Sequence, residues 1–248
     1  MKIFKKIPVL RVLHRYWREI TRPAPLQEFE DYDTYWQMRV REQRTAKEMD
    51  RYRLIASVLP VNASVLDIGC GEGSFLRYLS RNRPDCKGSG ADISISALEE
   101  LTASGISVTR IDPQRRLVEQ LAGSWDVVVL MEVIEHVVDA EDLVRQVIEL
   151  GPRRIFITIP NAGFLLHRLR LLFGGRFPIT TIVYHMREHI RFWTVKDFEQ
   201  WADVLGMHIH TCRAQVDRPD RLVRWLSNWH PALFAAQVVY ELSPNVRG

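Results

Sequence analysis

The stretch Asp67-Ile-Gly-Cys-Gly-Glu-Gly73 sets three glycines at alternate positions behind an acid, a pattern suited to cradling a ligand. Glycine lets the backbone turn sharply and approach a bound group with no Cβ in the way. The dinucleotide fingerprint G-x-G-x-x-G carries its third glycine one residue later, so this spacing differs from it. Asp92 closes the next strand-like stretch, where a carboxylate can accept both hydroxyls of a ribose, with Ile93 lying against the base. The competing reading gives Asp92 to the N-terminus of the helix that begins near Ser94.

Histidines supply the candidate bases. His136 follows a fourth apolar stretch and is read at the opening of a helix, whose positive end would keep the imidazole neutral. A base is most useful when its pKa lies near the working pH. Equally, His136 could serve only to order its loop. His185-Met-Arg-Glu-His189 spells H-x-x-E-H, which binds zinc when a helix puts both histidines on one face and a third ligand joins them. Its flanks, Ile182-Val-Tyr184 and Ile190-Arg-Phe-Trp193, lack a helical period, and Pro178 is near. No metal is therefore expected; His185 and His189 are read as lining a substrate pocket or bonding to backbone, and both stand behind His136 as candidate bases, His189 first. His167 sits in a Leu/Arg run and is given a packing or surface role. His208 and His210 alternate on one face of a strand and need only solvent.

Several elements must position these groups. Val65, Leu66 and Ile68 form the short apolar run of a strand buried on both faces. Further strands are read at 87–93, ending near Asp92, at 106–111 before Asp112, at 126–131, and at 154–159 before Pro160-Asn161. Helices fall at 45–59, 74–80, 94–103 and 195–205, and 132–136 opens another. This alternation specifies a parallel sheet with helices on both faces. A strand at 207–212, a helix at 221–229 and a strand at 234–240 complete the pattern. Residues 161–193 break the rhythm: Leu165, Leu166, Leu169 and Leu172 mix with Arg168 and Arg170 before Gly174-Gly175. An insertion there lies at the carboxyl edge of the sheet, where open α/β folds bind ligands, and is read as the acceptor-recognition element. Residues 1–45 form an extension and 46–248 the domain.

The Asp-x-Gly-x-Gly-x-Gly pattern resembles motif I of the class I S-adenosylmethionine (SAM) dependent methyltransferases. That resemblance implies an α/β, Rossmann-like fold with a seven-stranded, mostly parallel sheet, and SAM as cofactor. It implies that Asp67, Gly69, Gly71, Gly73, Asp92 and Ile93 bind the cofactor, and that Asp112 meets the adenine amino group. It also places the methionine end of SAM near Met131 and Glu132. The tract Met131-Glu-Val-Ile-Glu-His136 resembles the fourth motif of small-molecule O-methyltransferases, such as those of the ubiquinone pathway. Further on, Ile159-Pro-Asn161, Arg168-Leu-Arg-Leu-Leu-Phe-Gly-Gly-Arg-Phe-Pro178 and His189-Ile-Arg-Phe-Trp-Thr-Val-Lys-Asp-Phe198 resemble the MetW-type methyltransferase family. Members of that family are tied to methionine biosynthesis alongside homoserine acyltransferase. Ala162-Gly163 departs from the family's aromatic-Gly pair. The chain's ends look more like methyltransferases found with surface-polysaccharide and lipid-glycan genes, which points to a small or glycan/lipid-linked acceptor. Oxygen is favoured over nitrogen, because no Asn-Pro-Pro-aromatic tract follows the fourth strand. The rival readings are a SAM-binding partner of an acyltransferase and a nucleic-acid methyltransferase.

Composition is consistent with one domain carrying additions: 248 residues, 46% hydrophobic and 26% charged, are enough to bury a core. No apolar run approaches the roughly 18 residues that span a bilayer. No export signal is read behind the basic first residues, and three scattered cysteines suit a reducing, cytoplasmic setting. Charge is uneven. Residues 1–25 carry Lys2, Lys5, Lys6, Arg11, Arg15, Arg18 and Arg22 against Glu19, with Leu10, Leu13, Trp17 and Ile20 at helical spacing. Such a helix either lies at an anionic membrane surface or docks its apolar stripe on the domain. A second basic region spans 153–191, with Glu188 its only acid. Nucleic acid is not expected, since no recognised binding module accompanies these regions.

Overall fold

The computed structural model describes residues 17–18, 20–23, 49–178, 189–217 and 221–245. Most of the basic extension, the first residues of the helix read at 45–59, and His185 lie outside them. Along the described chain run α1 (Asp50–Ala56), β1 (Ser64–Ile68), α2 (Ser74–Asn82), β2 (Lys87–Asp92), α3 (Ile95–Ala103), β3 (Ser107–Arg110) and α4 (Leu117–Gln120). Next come β4 (Val127–Met131), a 3-10 turn (Ile134–His136), α5 (Ala140–Glu149), β5 (Arg154–Pro160) and α6 (Leu165–Gly174). The chain closes with α7 (Val195–Val204), β6 (Met207–Gln215), α8 (Arg221–Trp229), α9 (Pro231–Phe234) and β7 (Gln237–Pro244).

The strands form one seven-stranded sheet in the order β3-β2-β1-β4-β5-β7-β6. Strands β1 to β5 are parallel, and β7 runs antiparallel to both β5 and β6. The chain proceeds outward from β1 to β3, then returns to place β4 on the other side of β1. That reversal opens a crevice at the carboxyl ends of β1 and β4, the place where open α/β sheets bind ligands. The Val127-Val128-Val129-Leu130 run is wholly buried because both faces of the sheet are covered. Val127 and Val129 join Tyr52, Ile55, Phe75 and Phe156 on one face. Val128 and Leu130 join Ile155, Val144, Phe198 and Tyr240 on the other.

Helix starts are capped locally. The Ser94 hydroxyl accepts from Ala97 N, Asp139 from Asp142 N, and Thr194 and Asp197 form a capping box at α7. The insertion contains α6, which ends where Gly175 takes a left-handed φ of 58°. Near its end, Ile20 is buried, and its carbonyl accepts from Arg170 Nη1 at 3.1 Å. Ile20 of the N-terminal extension is therefore docked on the insertion, while Trp17 is exposed. The last strand begins at Gln237, because Phe234 is taken up by α9 instead.

Asn161, directly after β5, is fully buried. Its Nδ2 donates towards the carbonyls of Ala232 (3.1 Å) and Ala235 (2.8 Å), and its Oδ1 accepts from Gly163 N at 2.9 Å. One side chain thus ties the end of β5 to α9 and to the insertion. Replacing Asn161 by Ala leaves those buried groups without partners, at roughly 1–3 kcal/mol each. Urea unfolding of Asn161→Ala is expected to show a stability loss of about that size or more, with an unchanged slope.

Candidate cofactor and acceptor site

All three glycines of the loop after β1 have positive φ: 73° at Gly69, 51° at Gly71 and 72° at Gly73. A Cβ on Gly69 would stand 2.4 Å from Val133 Cγ2, and one on Gly73 would stand 2.0 Å from Leu101 Cδ2. The loop is tied to β2, since Gly69 N donates to the Ala91 carbonyl at 2.7 Å. Asp92, buried at the end of β2, completes the tie. Its Oδ2 accepts from Gly71 N at 2.8 Å and its Oδ1 from Ser94 N at 2.9 Å. Both readings of Asp92 meet here, because the carboxylate that orients the loop also faces the helix start. The cap of α3 itself is Ser94.

Asp67 is buried in β1, and its Oδ1 accepts no hydrogen bond. Burial, with the Asp92 carboxylate next, pushes its pKa well above the usual carboxylate range, and the Arg51 guanidinium pulls the other way. Arg51 stands on α1, which is fixed to the end of β6. Asp217 Oδ1 accepts from Asp50 N at 2.9 Å, and Asp50 Oδ2 accepts from Val216 N at 3.1 Å. Arg51 Nη1 lies 3.6 Å from Glu132 Oε1, and its Nε is buried without a partner.

Glu132 leaves β4 with φ at 56°, a left-handed conformation that a glutamate adopts under constraint. The constraint comes from its neighbours. Its N–H donates to Thr158 Oγ1, the Thr158 hydroxyl donates to its Oε1, each at 2.9 Å, and Gln237 Nε2 donates to its Oε2 at 2.7 Å. Strained residues of this kind cluster at functional sites. Met131, just before it, packs against the apolar cluster under α1 and α2. Ile93 is exposed beside Asp92. Asp112 is exposed, and its Oδ1 accepts from Gln114 N at 2.9 Å, so it builds a local turn.

The histidines require one correction. His136 does not open an α-helix: it ends the single 3-10 turn Ile134–His136, and α5 starts later, at Ala140. One short turn has no dipole to hold its imidazole neutral, so that reason for choosing it as base falls. His189 is buried, and burial, then the neighbouring His136, pushes its pKa down to about 3. The two rings nonetheless meet edge to face, with centroids 4.8 Å apart. Close to both is Glu135, fully buried, with neither carboxylate oxygen accepting a hydrogen bond. Burial, then the Glu132 carboxylate, pushes Glu135 well above its ordinary range.

Arg51, Glu135, Thr158 and Gln237 join the site without having been singled out in the sequence. Thr158 carried a signal, as the polar residue inside Ile155-Phe-Ile-Thr-Ile159. Glu135 had one too, three residues after Glu132 and next to His136. Arg51 and Gln237 had none, for they come from the first described helix and the last strand.

Topology, loop and crevice together define a class I methyltransferase fold. Residues 49–242 match the family model described as "Methionine biosynthesis protein MetW". The chain belongs to that family. It is 26% identical over 164 residues to the bifunctional methionine biosynthesis protein MetXA/MetW of Rhodopirellula baltica, covering 61% of this chain and 26% of that one. It is 34% identical over 132 residues to a ubiquinone biosynthesis O-methyltransferase of Albidiferax ferrireducens, covering 50% of this chain and 52% of the relative. The chain thus spans about a quarter and about half of the lengths of these curated relatives. Among solved structures, magnesium protoporphyrin IX methyltransferase from Synechocystis, with bound SAH, shares the fold at a TM-score of 0.51 and 20% identity. That match covers 94% of this chain and 95% of the other.

Proposed function

We propose that this chain is a SAM-dependent methyltransferase acting on a hydroxyl oxygen of a small or glycan- or lipid-linked acceptor. The observation that carries the reading is the buried, unpartnered Asp67 oxygen behind a loop whose glycines exclude side chains. These residues fit SAM. The loop Gly69, Gly71 and Gly73 would lie along its amino-acid portion, and Asp67 would take its ammonium group. Asp92 would accept the ribose hydroxyls with its remaining lone pairs, since each oxygen takes more than one donor. Ile93 would cover the adenine, with Asp112 at its edge, and Met131 and Glu132 would border the sulfonium end. When bound, SAM supplies an electrophilic methyl group. The chain's own residues orient the acceptor for in-line attack, which is chiefly a gain from positioning.

The insertion supports an amphiphilic acceptor, because Leu171, Leu172, Phe173 and Phe177 are exposed on it. Among the described residues no helix is long and apolar enough to cross a membrane, so contact with lipid-linked material would be made from the surface. The basic residues 1–25 would assist at an anionic headgroup layer.

Native mass spectrometry of the purified chain, for co-purified SAM or its demethylated product, tests the cofactor. Methyl transfer to acceptor pools from cell extracts tests the reaction. The family match supports a second reading, in which the chain binds SAM as the partner of an acyltransferase in methionine biosynthesis. Tight SAM binding, no turnover with any pool and a stable complex with an acyltransferase would favour it.

A pH dependence follows from Asp67. Free protein holds the Asp67 proton more tightly than an ordinary carboxyl, and an ammonium partner favours the ionised form. SAM binding should therefore release a proton, and affinity should rise with pH until the free-state pKa is passed. Calorimetry in buffers of different ionisation enthalpy reads the release directly. Asp67→Asn should abolish that release and weaken binding.

A further inference from the structure

We propose that Glu135, His136 and His189 form a site for one divalent transition-metal cation, Zn2+ by its ligand set, on the acceptor side of the crevice. One ligand atom from each residue lies within 4.8 Å of the other two. Bonds of about 2.1 Å to a tetrahedral ion set neighbouring donors roughly 3.4 Å apart. Side-chain shifts of up to roughly 1.4 Å close the difference, and the His136 side chain is exposed. The inference rests on the methyltransferase reading for its role, although the site itself stands on separate residues.

The buried carboxylate supplies the second, independent observation. Glu135 is 0% exposed, and neither of its oxygens accepts a hydrogen bond. A carboxylate is taken out of water at high cost unless something compensates its charge, and a coordinated cation does so. The backbone holds the ligands side by side. The Glu135 carbonyl accepts from Ile190 N at 3.0 Å and from Arg191 N at 3.2 Å, which clamps the turn after β4 to the segment that carries His189. Arg191 is anchored in turn by Glu141, whose Oε1 accepts from its Nη1 at 2.7 Å. Among the described residues, His189 is thus brought to His136 and Glu135.

Two imidazoles and one carboxylate suit zinc, or a first-row ion of similar preference. With these three ligands from the described residues, a four-coordinate ion would keep a position for an acceptor hydroxyl. Coordination lowers the pKa of such a hydroxyl, and its proton passes to water. The oxygen lone pair then forms the new C–O bond as the methyl's C–S bond breaks, and sulfur keeps that electron pair.

The test uses the full chain, stripped with a chelator and titrated with Zn2+ alone by calorimetry, with Co2+ absorption reporting coordination. One ion per chain is expected. His136→Ala and Glu135→Gln should each weaken binding by about 100-fold or more, since even partners behind the ligands contribute 10–100-fold. His208 and His210, an exposed pair with ring centroids 4.7 Å apart, are the control for adventitious binding. The double variant His208→Ala/His210→Ala should keep the ion. Circular dichroism establishes that each variant is folded, and His136→Ala, at an exposed position, is the variant that does not disturb the core. Absence of stoichiometric Zn2+ binding by folded wild type would overturn the proposal, as would binding that depends on His208 and His210 alone. SAM is titrated in parallel: SAM binding without Zn2+ uptake overturns the metal site and leaves the methyltransferase reading standing. Zn2+ uptake without SAM binding supports the metal site and overturns the methyltransferase reading.

Discussion

Gly71→Val is expected to reduce SAM affinity by more than about 100-fold, below the range that calorimetry resolves, in a protein that still folds. Gly71 sits at φ 51° in the middle of the loop, where its N–H donates to Asp92 Oδ2. A β-branched residue at that φ is a strong outlier, and single strained residues cost of order 1–3 kcal/mol. The loop can relieve the strain by leaving this conformation, and the tie to Asp92 is then lost with it. Both sides of the proposed cofactor site move together, so the loss in affinity exceeds the strain. The sheet stays, because the core on its two faces does not include Gly71. Unchanged SAM affinity in folded Gly71→Val would remove the loop from the cofactor site.

Asp92→Ala is expected to weaken SAM binding by about 1.5–3 kcal/mol, roughly 10- to 150-fold, the range for hydrogen bonds to a charged group. The structure adds a second contribution, for the variant also strips acceptors from Gly71 N and Ser94 N. Asp92→Asn separates the two. An amide oxygen can still accept one backbone N–H, while the charge facing the ribose is gone. If the ribose assignment is right, Asp92→Asn loses most of the affinity that Asp92→Ala loses. Full SAM affinity in both folded variants would leave Asp92 as a loop tie alone. Thermal melts of the free proteins give a useful contrast. Either change removes a like charge next to buried Asp67, which relieves part of what pushes that carboxyl up.

Period and punctuation in the sequence determined the fold class. The Val127–Leu130 run, the alternating glycines and the strand ends at Asp92 and Pro160 are local signals, and local backbone chemistry decides them. Glycines at positive φ are legible for the same reason, since the turn they make demands them where they stand. The His136 argument failed because it needed the boundary of a helix. Glu132-Val-Ile-Glu-His reads as a helix opening, but the chain spends it on a 3-10 turn and caps α5 at Asp139 instead. Which groups meet across the crevice was decided by tertiary structure. Arg51 reaches Glu132 because Asp50 ties α1 to the end of β6, which lies at the far edge of the sheet from β3. Gln237 reaches Glu132 because β7 inserts antiparallel beside β5. Glu135, His136 and His189 converge because the Glu135 carbonyl accepts two amides from a segment more than fifty residues later (190 − 135 = 55). Contacts of that kind follow from packing and strand order, for which no spacing along the chain is a code, whereas the glycine loop follows from φ angles that the residues themselves set.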